Sequence, residues 1–341
     1  MREAKELRLV YRDFLLDANS EYPELVALEA DLSSSMSTNK LGEVFGKRYI
    51  NVGIMEAEMI GVAAGLSILG FKPYLHTFGP FATRRVFDMN GGTHMPFEEL
   101  GLMRLIPNIT IFEASDDVQF EAVLKQTLEI EGLKYIRTIR KAPEVVYEGG
   151  EDFSKGFIEL KTGRDLTIFA SGIMVAPCLR VARELEATGV NVAVVDLFRI
   201  KPLPDEVNTM YSGTPILTVE NHNEIGGIGS ALCELFATDN TTAVHRLGVH
   251  EKFGQVGKVP YLLSKYGIDE KGIKEKVAFL FPLKGGIIDV MNSGGTEMKK
   301  NEFYTVIIED LTHEGLGVGK VDGFPLFIEN SIPGEVVRVK T

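Results

Sequence analysis

The sequence predicts an α/β protein with two consecutive sheet domains and a short, incomplete β-barrel segment at the C-terminal end. Short apolar runs alternate with helical patterns up to about residue 282, which is the order of parallel strands joined by crossover helices. Beyond that point, short β segments and turn residues predominate. The length of 341 residues allows two or three domains. With 45% hydrophobic residues, the chain has ample apolar content for a buried core.

The first block, residues 1–147, alternates strands and helices. Its predicted strands cover residues 24–30, 49–52, 72–76, 108–113 and 134–138. Its predicted helices cover residues 54–69 and 118–130. The first strand leads into Asp31 and a serine-rich stretch. A polar loop at the carboxyl end of a strand is typical of a ligand site in a parallel sheet.

The second block, residues 148–283, follows an acidic, glycine-containing linker at residues 148–152. Its predicted strands cover residues 165–170, 190–197 and 215–220, and its predicted helices cover residues 175–188 and 229–237. Gly189 ends the first of these helices, as glycine commonly does. Cys178 lies on the same helix and is expected in the core.

A linker and a small all-β piece complete the predicted organisation. Residues 284–298 are rich in glycine and serine, which indicates a linker. Residues 299–341 contain short β segments separated by turn residues. The predicted strands of this piece cover residues 304–309, 317–321, 325–328 and 335–339.

Charge and cysteine content argue against several classes of protein. The 48 acidic against 36 basic residues give a formal net charge of −12, so phosphodiester backbones are repelled on average. No apolar run reaches the length of about 18 residues that a membrane span needs. The charged N-terminal residues lack the apolar centre of a signal peptide. Because Cys178 and Cys233 form no metal or disulfide pattern, we expect a cytoplasmic protein.

Glu56 is the strongest single candidate for chemistry. It is expected one turn into a helix of small residues, where apolar neighbours would flank its carboxyl group. Such an environment suits a carboxyl group that shares a proton. On spacing alone, a first-turn glutamate that complements the helix dipole is the favoured interpretation. Glu58 on the same helix is expected to be solvated or at an interface.

Phe78 and Phe81 lie three residues apart after the strand at 72–76, in a loop stiffened by Pro80. Their faces could stack on a flat heteroaromatic ring. Without further context, a place in the core is the favoured interpretation for both.

Eight short stretches, four in each block, together resemble a known family. They are residues 31–35, 53–56, 76–85 and 92–98 in the first block, and residues 170–172, 219–223, 226–230 and 248–254 in the second. The first set resembles the pyrimidine-binding domain of transketolases, and the second resembles the transketolase C-terminal domain. The resemblance covers about residues 1–282, and its strength comes from the number and order of the matches.

The resemblance implies a thiamine-diphosphate enzyme of the pentose phosphate pathway that transfers a two-carbon ketol unit between sugar phosphates. The family's Gly-Asp-Gly…Asn motif for the diphosphate and Mg²⁺ is absent from the sequence. The chain therefore resembles the C-terminal subunit of two-chain transketolases. A separate N-terminal subunit would hold the diphosphate and Mg²⁺, with the cofactor between the two chains. Self-association is also expected.

The resemblance also implies roles at the cofactor. Glu56 would hydrogen-bond the aminopyrimidine ring and share a proton with it, and Phe78 and Phe81 would pack against that ring. Asp31 would lie close to the cofactor. No residue of this chain is assigned as a metal ligand.

Two further matches concern the substrate. His94 would lie near the polar end of the donor, and Arg140 would bind the sugar phosphate through its guanidinium fork. The neighbouring Arg137 and Lys141 are expected to be exposed edge charges. His222 is expected to have a structural or interface role.

The first block departs from the family around residues 88–90. One residue, Met89, separates Asp88 from a turn that begins at Asn90, where the family has the rest of a helix and a strand. A parallel strand needs a crossover of about a dozen residues. We therefore expect a gap in the sheet and an altered site.

Residues 299–341 resemble the start of the TRAM domain, a small β-barrel of RNA uracil-C5 methyltransferases, through residues 304–325. The barrel is expected to be incomplete, with an open edge. From Met298 onward there are five basic and seven acidic residues. Since RNA affinity depends mainly on lysine and arginine, we expect neither RNA binding nor methyl transfer.

Alternative functions stay open at this point. The chain could be a subunit of another thiamine-diphosphate enzyme, such as a 1-deoxyxylulose-phosphate synthase or a 2-oxoacid dehydrogenase β subunit. It could also be a non-catalytic remnant that assembles with a partner, or an RNA-interacting protein through its tail. Residues 76–81 and 90–98 favour a transketolase.

Overall fold

The computed structural model describes residues 2–83, 96–255, 257–281, 303–311, 317–321, 324–328 and 331–340. They belong to two compact units, Met1–Lys276 and Val277–Thr341, which are described separately below. The predicted linker at residues 284–298, the shortened segment around 88–90 and His94 lie outside the described residues. In the described part of the chain, no helix is long and apolar enough to cross a membrane.

Helices and strands alternate through most of the first unit. Its helices are α1 (Leu7–Ala18), α2 (Ser33–Met36), α3 (Leu41–Phe45), α4 (Glu56–Ile68), α5 (Gly79–Thr83), α6 (Glu99–Arg104), α7 (Asp117–Thr127), α8 (Val175–Glu186), α9 (Asp205–Tyr211), α10 (Ile228–Leu235), α11 (Val259–Tyr266) and α12 (Glu270–Leu280), which ends beyond the unit boundary. Its strands are β1 (Leu25–Glu29), β2 (Tyr49–Asn51), β3 (Lys72–His76), β4 (Thr110–Glu113), β5 (Lys134–Arg137), β6 (Ile158–Lys161), β7 (Leu166–Ala170), β8 (Val192–Asp196), β9 (Arg199–Lys201), β10 (Ile216–Asn223) and β11 (Val244–Val249).

The first sheet contains three parallel strands in the order β2-β1-β3. All five residues of β1 are buried, as expected for a parallel strand that is covered on both faces. Glu29 at the end of β1 is in register with Asn51 of β2 and His76 of β3. The carboxyl ends of the three strands therefore lie along one edge.

Strands β4 and β5 of the first block form a separate sheet with β9, in the order β5-β4-β9. Within the described ranges, no strand pairs this sheet with the first one. Every residue of β4 is buried, whereas β5 and most of β3 are only partly buried. This difference is expected for β3 and β5, each of which pairs with a single strand among the described residues.

The third sheet has the order β11-β10-β7-β8-β6, with β6 antiparallel and the other strands parallel. Cys178 of α8 is buried beside this sheet, which confirms its predicted place in the core. Strand β9 comes from the second block but pairs antiparallel with β4 of the first. Ile200 of β9 packs in one cluster with Leu100, Ile109 and Ile111. The two predicted blocks therefore share a sheet and part of a core.

The second unit contains an antiparallel sheet of strands β12 (Phe303–Leu311), β13 (Gly317–Val321), β14 (Phe324–Ile328) and β15 (Val336–Lys340). Their order is β14-β13-β12-β15. Val306 and Ile308 on β12 are buried. A side chain at Gly319 would place Cβ 2.2 Å from Cγ1 of Val306, so the close packing of β13 on β12 requires glycine there.

Candidate functional site

Three loops follow the aligned carboxyl ends of β1, β2 and β3. The first loop begins with Asp31, the second leads to Glu56 at the start of α4, and the third contains Phe78. Ligands of open α/β sheets bind outside the carboxyl ends of the strands. The topology thus brings three of the predicted cofactor residues to one edge of the sheet.

Glu56 is the first residue of α4 and is partly exposed. The prediction of a buried carboxyl group one turn inside the helix is therefore wrong for this chain alone. The physical reason is that most of α4 does not pack against the core. Among its described residues, only Met59 and Ala63 are buried. A carboxylate at the first turn is favourably placed against the helix dipole. Glu58 is exposed, as expected.

Phe78 and Phe81 pack against each other edge to face, with ring centroids 5.8 Å apart. Neither ring is a core residue, because Phe78 is partly exposed and Phe81 is 37% exposed. Between them, Pro80 is buried. The loop therefore presents aromatic surface at the same edge as Glu56, and the core interpretation of this pair is not supported.

A buried carboxylate, which the sequence analysis did not single out, lies under this edge. Glu29 is fully buried and accepts hydrogen bonds from Asn51 Nδ2 at 3.0 Å and Thr38 Oγ1 at 3.3 Å. Nε2 of His76 lies 3.9 Å from Oε2 of Glu29, and burial lowers the pKa of His76 to about 4. A neutral imidazole therefore faces Glu29 near neutral pH. The sequence signal that could have identified Glu29 is an acidic residue at the end of an otherwise apolar strand.

Asn51 joins the loops that follow β1 and β2. Its Oδ1 accepts hydrogen bonds from the backbone N–H groups of Gly53 at 2.8 Å and Asp31 at 3.2 Å. Asp31 is exposed and has φ +60°, in the left-handed region that few non-glycine residues adopt. The contact with Asn51 helps to hold this conformation.

Arg140 contacts the short helix α2, which follows β1. It is exposed and donates from Nη1 to Oγ of Ser35 at 2.8 Å. Arg8 at the start of α1 donates from Nη1 to the main-chain oxygen of Ser35 at 3.1 Å. Two guanidinium groups therefore meet at one serine. Arg8 was not identified from the sequence, because nothing in its local pattern shows that α1 packs beside α2.

Arg137 contradicts its predicted role as an exposed edge charge. Its side chain is only 13% exposed and forms ion pairs with Glu99 and Glu113. Nη1 also donates to Oδ1 of Asn221 at 2.5 Å. The side chain is enclosed because α6 and β10 pack beside β5. Burial opposes the charged form, but Glu99 and Glu113 outweigh it and raise the pKa of Arg137.

His222 lies beside this group and is completely buried. Its Nδ1 is 2.8 Å from the main-chain oxygen of Asn223, and burial lowers its pKa to about 4. This environment agrees with the expected structural role. Lys141 is exposed, as predicted. In the part of the chain that is described, no group of three or more His, Cys, Asp or Glu side chains is arranged to hold a metal ion.

Family models match three parts of the chain. Residues 3–90 match the pyrimidine-binding domain of transketolase, and residues 156–273 match the transketolase C-terminal domain. Residues 298–340 match the TRAM domain. The three matches occur in the order that the sequence resemblances predicted.

Two proteins that are similar to this chain and of comparable length are a transketolase subunit and a putative transketolase section. A 6-deoxy-6-sulfo-D-fructose transketolase subunit, SqwH, of Clostridium sp. is 36% identical over 78% of this chain and 92% of that protein. A putative transketolase C-terminal section of Methanocaldococcus jannaschii is 31% identical over 80% of this chain and 95% of that protein.

Solved structures give the same result. A split-gene transketolase, described as an inactive β4 tetramer, is 35% identical with a TM-score of 0.74, and the match covers 82% of this chain and 99% of that one. A Pichia stipitis transketolase shares the fold at 22% identity and a TM-score of 0.66, over 82% of this chain and 46% of that one. The chain therefore belongs to the transketolase family and corresponds to the C-terminal subunit of its split members.

Proposed function

We propose that this chain is the C-terminal subunit of a two-chain transketolase, which transfers a two-carbon ketol unit between sugar phosphates. Thiamine diphosphate would bind at the interface with an N-terminal subunit that holds the diphosphate and Mg²⁺. The observation that carries the proposal is the open edge of the first sheet, where Glu56 and the pair Phe78 and Phe81 are all partly exposed. A carboxyl group and two aromatic rings are the groups that would line one side of a pocket for a heteroaromatic ring.

The residues at this edge fit the pyrimidine end of the cofactor. Phe78 and Phe81 offer aromatic surface to a flat ring, and Glu56 offers a carboxyl group to a ring nitrogen. Asp31 lies at the start of the neighbouring loop. When bound, thiamine diphosphate supplies an acidic thiazolium carbon that carries the difficult part of the chemistry.

The protein's own contribution is to hold groups and protons in place. Glu56 keeps a proton between its carboxyl group and the pyrimidine ring, and covering this edge with a partner would remove water and strengthen that hydrogen bond. Arg140 and Arg8, which meet at Ser35, bind the phosphate end of the sugar through charge-assisted hydrogen bonds.

The outer face of α4 and the loop before it form the proposed partner surface. This surface is rich in exposed apolar side chains, which marks an interaction site on a protein surface. The exposed apolar residues here are Ile54, Met55, Ile60, Val62 and Ile68. We assign this surface to the N-terminal subunit and to self-association, because it borders the open edge at Glu56.

The test is a ketol-transfer assay after co-expression with an N-terminal transketolase subunit. Glu56→Gln should lower turnover by on the order of a hundredfold or more, since proton transfer by a positioned group contributes that much. Glu58→Gln on the same helix is the matched control and should keep normal turnover. Both variants should still bind the partner in size-exclusion chromatography.

Three results would count against the proposal. Normal turnover in Glu56→Gln would remove the proton-sharing role. Activity of the isolated chain would remove the need for a partner subunit. Condensation of pyruvate with an aldose phosphate, in place of ketol transfer, would move the chain to the 1-deoxyxylulose-phosphate synthase type. The altered segment around residues 88–90 leads us to expect turnover below that of intact relatives.

A further inference from the structure

We propose that Arg137 is a positioning residue for Arg140 and thereby sets how strongly the site prefers phosphorylated substrates. The inference rests on the proposed function, because it needs Arg140 to bind the phosphate end of a sugar. Arg137 itself would not touch the substrate.

Arg137 fixes the carboxyl end of β5 through several elements at once. Its guanidinium group pairs with Glu99 of α6 and with Glu113 at the end of β4. Nη1 and Nη2 donate to Oδ1 and the main-chain oxygen of Asn221, at 2.5 and 3.2 Å. Nη2 also lies 3.4 Å from the main-chain oxygen of Pro96. A planar fork with donors on two sides can hold all of these acceptors together.

Strand β5 depends on this anchor more than a central strand would. It is four residues long, and among the described strands it pairs only with β4. None of its four residues is fully buried. Its carboxyl end is also held by the hydrogen bond from the N–H of Ala114 to the main-chain oxygen of Arg137 at 3.3 Å, and Ile136 packs against the core. The side chain of Arg137 adds contacts with α6, β4 and β10 that strand pairing does not provide.

Arg140 follows the anchor by three residues, and the segment is held again at its far side. The main-chain oxygen of Arg140 accepts from the N–H of Arg8 at 3.3 Å, and that of Lys141 accepts from the N–H of Leu7 at 3.4 Å. Three residues span about 10 Å at most. Through this short segment, we expect a shift at Arg137 to move Arg140 relative to Ser35, to which its side chain donates.

The substitution must keep a positive charge at residue 137. Removing it would leave the carboxyl groups of Glu99 and Glu113 buried without a cation, which can prevent folding. Arg137→Lys keeps the charge but loses the fork. Asn221→Ala removes one acceptor of Arg137 and leaves the charges unchanged. Thermal unfolding of both variants establishes that they fold.

Steady-state kinetics of the two-subunit enzyme test the proposal. Arg137→Lys should raise KM for a phosphorylated aldose acceptor on the order of tenfold, while kcat and the KM for a short unphosphorylated hydroxyaldehyde stay the same. Arg140→Ala should show the same selective pattern more strongly. Asn221→Ala should show it more weakly. Equal losses for both acceptors in Arg137→Lys would overturn the positioning role and leave a structural one.

Hydrogen exchange gives a readout that does not depend on activity. In Arg137→Lys the amides of residues 138–141 should exchange faster than in the unmodified chain, while those of β4 should not change. Unchanged exchange at residues 138–141 would overturn the inference whatever the kinetics. Failure of the proposed function would appear separately, as normal turnover in Glu56→Gln.

Discussion

Asp196, at the end of β8, shows what a buried carboxyl group needs from its neighbours. Its Oδ2 accepts hydrogen bonds from Ser115 Oγ at 2.8 Å, Gln119 Nε2 at 2.8 Å and Tyr147 Oη at 2.7 Å. Oδ1 is buried and has no hydrogen-bond partner among the described residues. Complete burial raises the pKa of Asp196 to about 7 despite these donors.

The environment of Asp196 predicts a pH dependence of stability. Its pKa in the unfolded chain is about 3.9, so between about pH 4 and pH 7 the folded state holds a proton that the unfolded state has lost. The contribution of Asp196 to the free energy of unfolding should therefore fall as pH rises through this range. Asp196→Asn, which can still accept the three hydrogen bonds through its amide oxygen, should remove this contribution and leave those of the other buried groups.

Urea unfolding at several values from pH 4.5 to pH 8 measures the effect. The unmodified chain should lose stability relative to Asp196→Asn by an amount on the order of a few kcal/mol across the range. Asp17→Asn changes an exposed carboxyl group and should keep the slope of the unmodified chain. Parallel curves for the unmodified chain and Asp196→Asn would contradict the prediction.

At the proposed site, the sequence predicted which loops lie together but not which side chains become enclosed. Asp31, Glu56 and Phe78 lie at one sheet edge because each follows the carboxyl end of a strand in the same parallel sheet. The exposure of Arg137 was predicted wrongly because α6 and β10, which enclose it, are distant in the sequence. Arg8 was missed for the same reason, since only the packing of α1 brings it to Ser35.

At the scale of elements, α4 is an apolar helix of which little is buried. Two of its thirteen residues are buried, compared with eight of the twelve in α8. Its small residues would let another backbone approach closely. An apolar helix with so little burial is expected to pack against another chain.

A charge on the outer face of α4 should prevent association without unfolding the chain. Ile60 is 45% exposed, so Ile60→Asp should change the free energy of unfolding by less than about 1 kcal/mol. The variant should lose binding to the N-terminal subunit in analytical ultracentrifugation, because a buried unpaired carboxylate is costly at an interface.

Met210→Asp provides the control, since Met210 is an exposed apolar residue on α9. It should bind the partner like the unmodified chain. Normal association of Ile60→Asp would show that the outer face of α4 is not the interface.

The elements themselves were predicted more reliably than their pairing. Strand β3 has its predicted bounds, and α4 begins two residues later than predicted. The antiparallel directions of β6 and β9 were not predicted, because an apolar run carries no information about which neighbour it pairs with. Helix α1 was not identified individually, although its apolar face packs in a core cluster with α7.

At the scale of the whole molecule, the catalytic proposal involves only the first unit. All of the described residues to which it assigns a role precede residue 141, and the second block joins their core through β9. The second unit forms its own antiparallel sheet. The proposed chemistry therefore needs residues of the first unit only, and the second unit has its own fold.

Removing the residues after Phe281 should therefore leave ketol transfer by the two-subunit enzyme within about twofold of the full chain, as expected for a change that removes no transition-state contact. The shortened chain keeps all of α12. Activity and thermal unfolding of both forms, measured side by side, test this. A loss of activity with unchanged unfolding would assign the TRAM-like unit a role in catalysis or assembly.

Strand β9 also affects the order in which the molecule can form during translation. Its partner β4 leaves the ribosome long before residues 199–201 are synthesised, and until then one side of β4 has no strand beside it. An unpaired strand edge promotes misassociation of nascent chains. A polypeptide released before β9 is made would expose that edge permanently, so quality control in the cell should recognise such fragments readily.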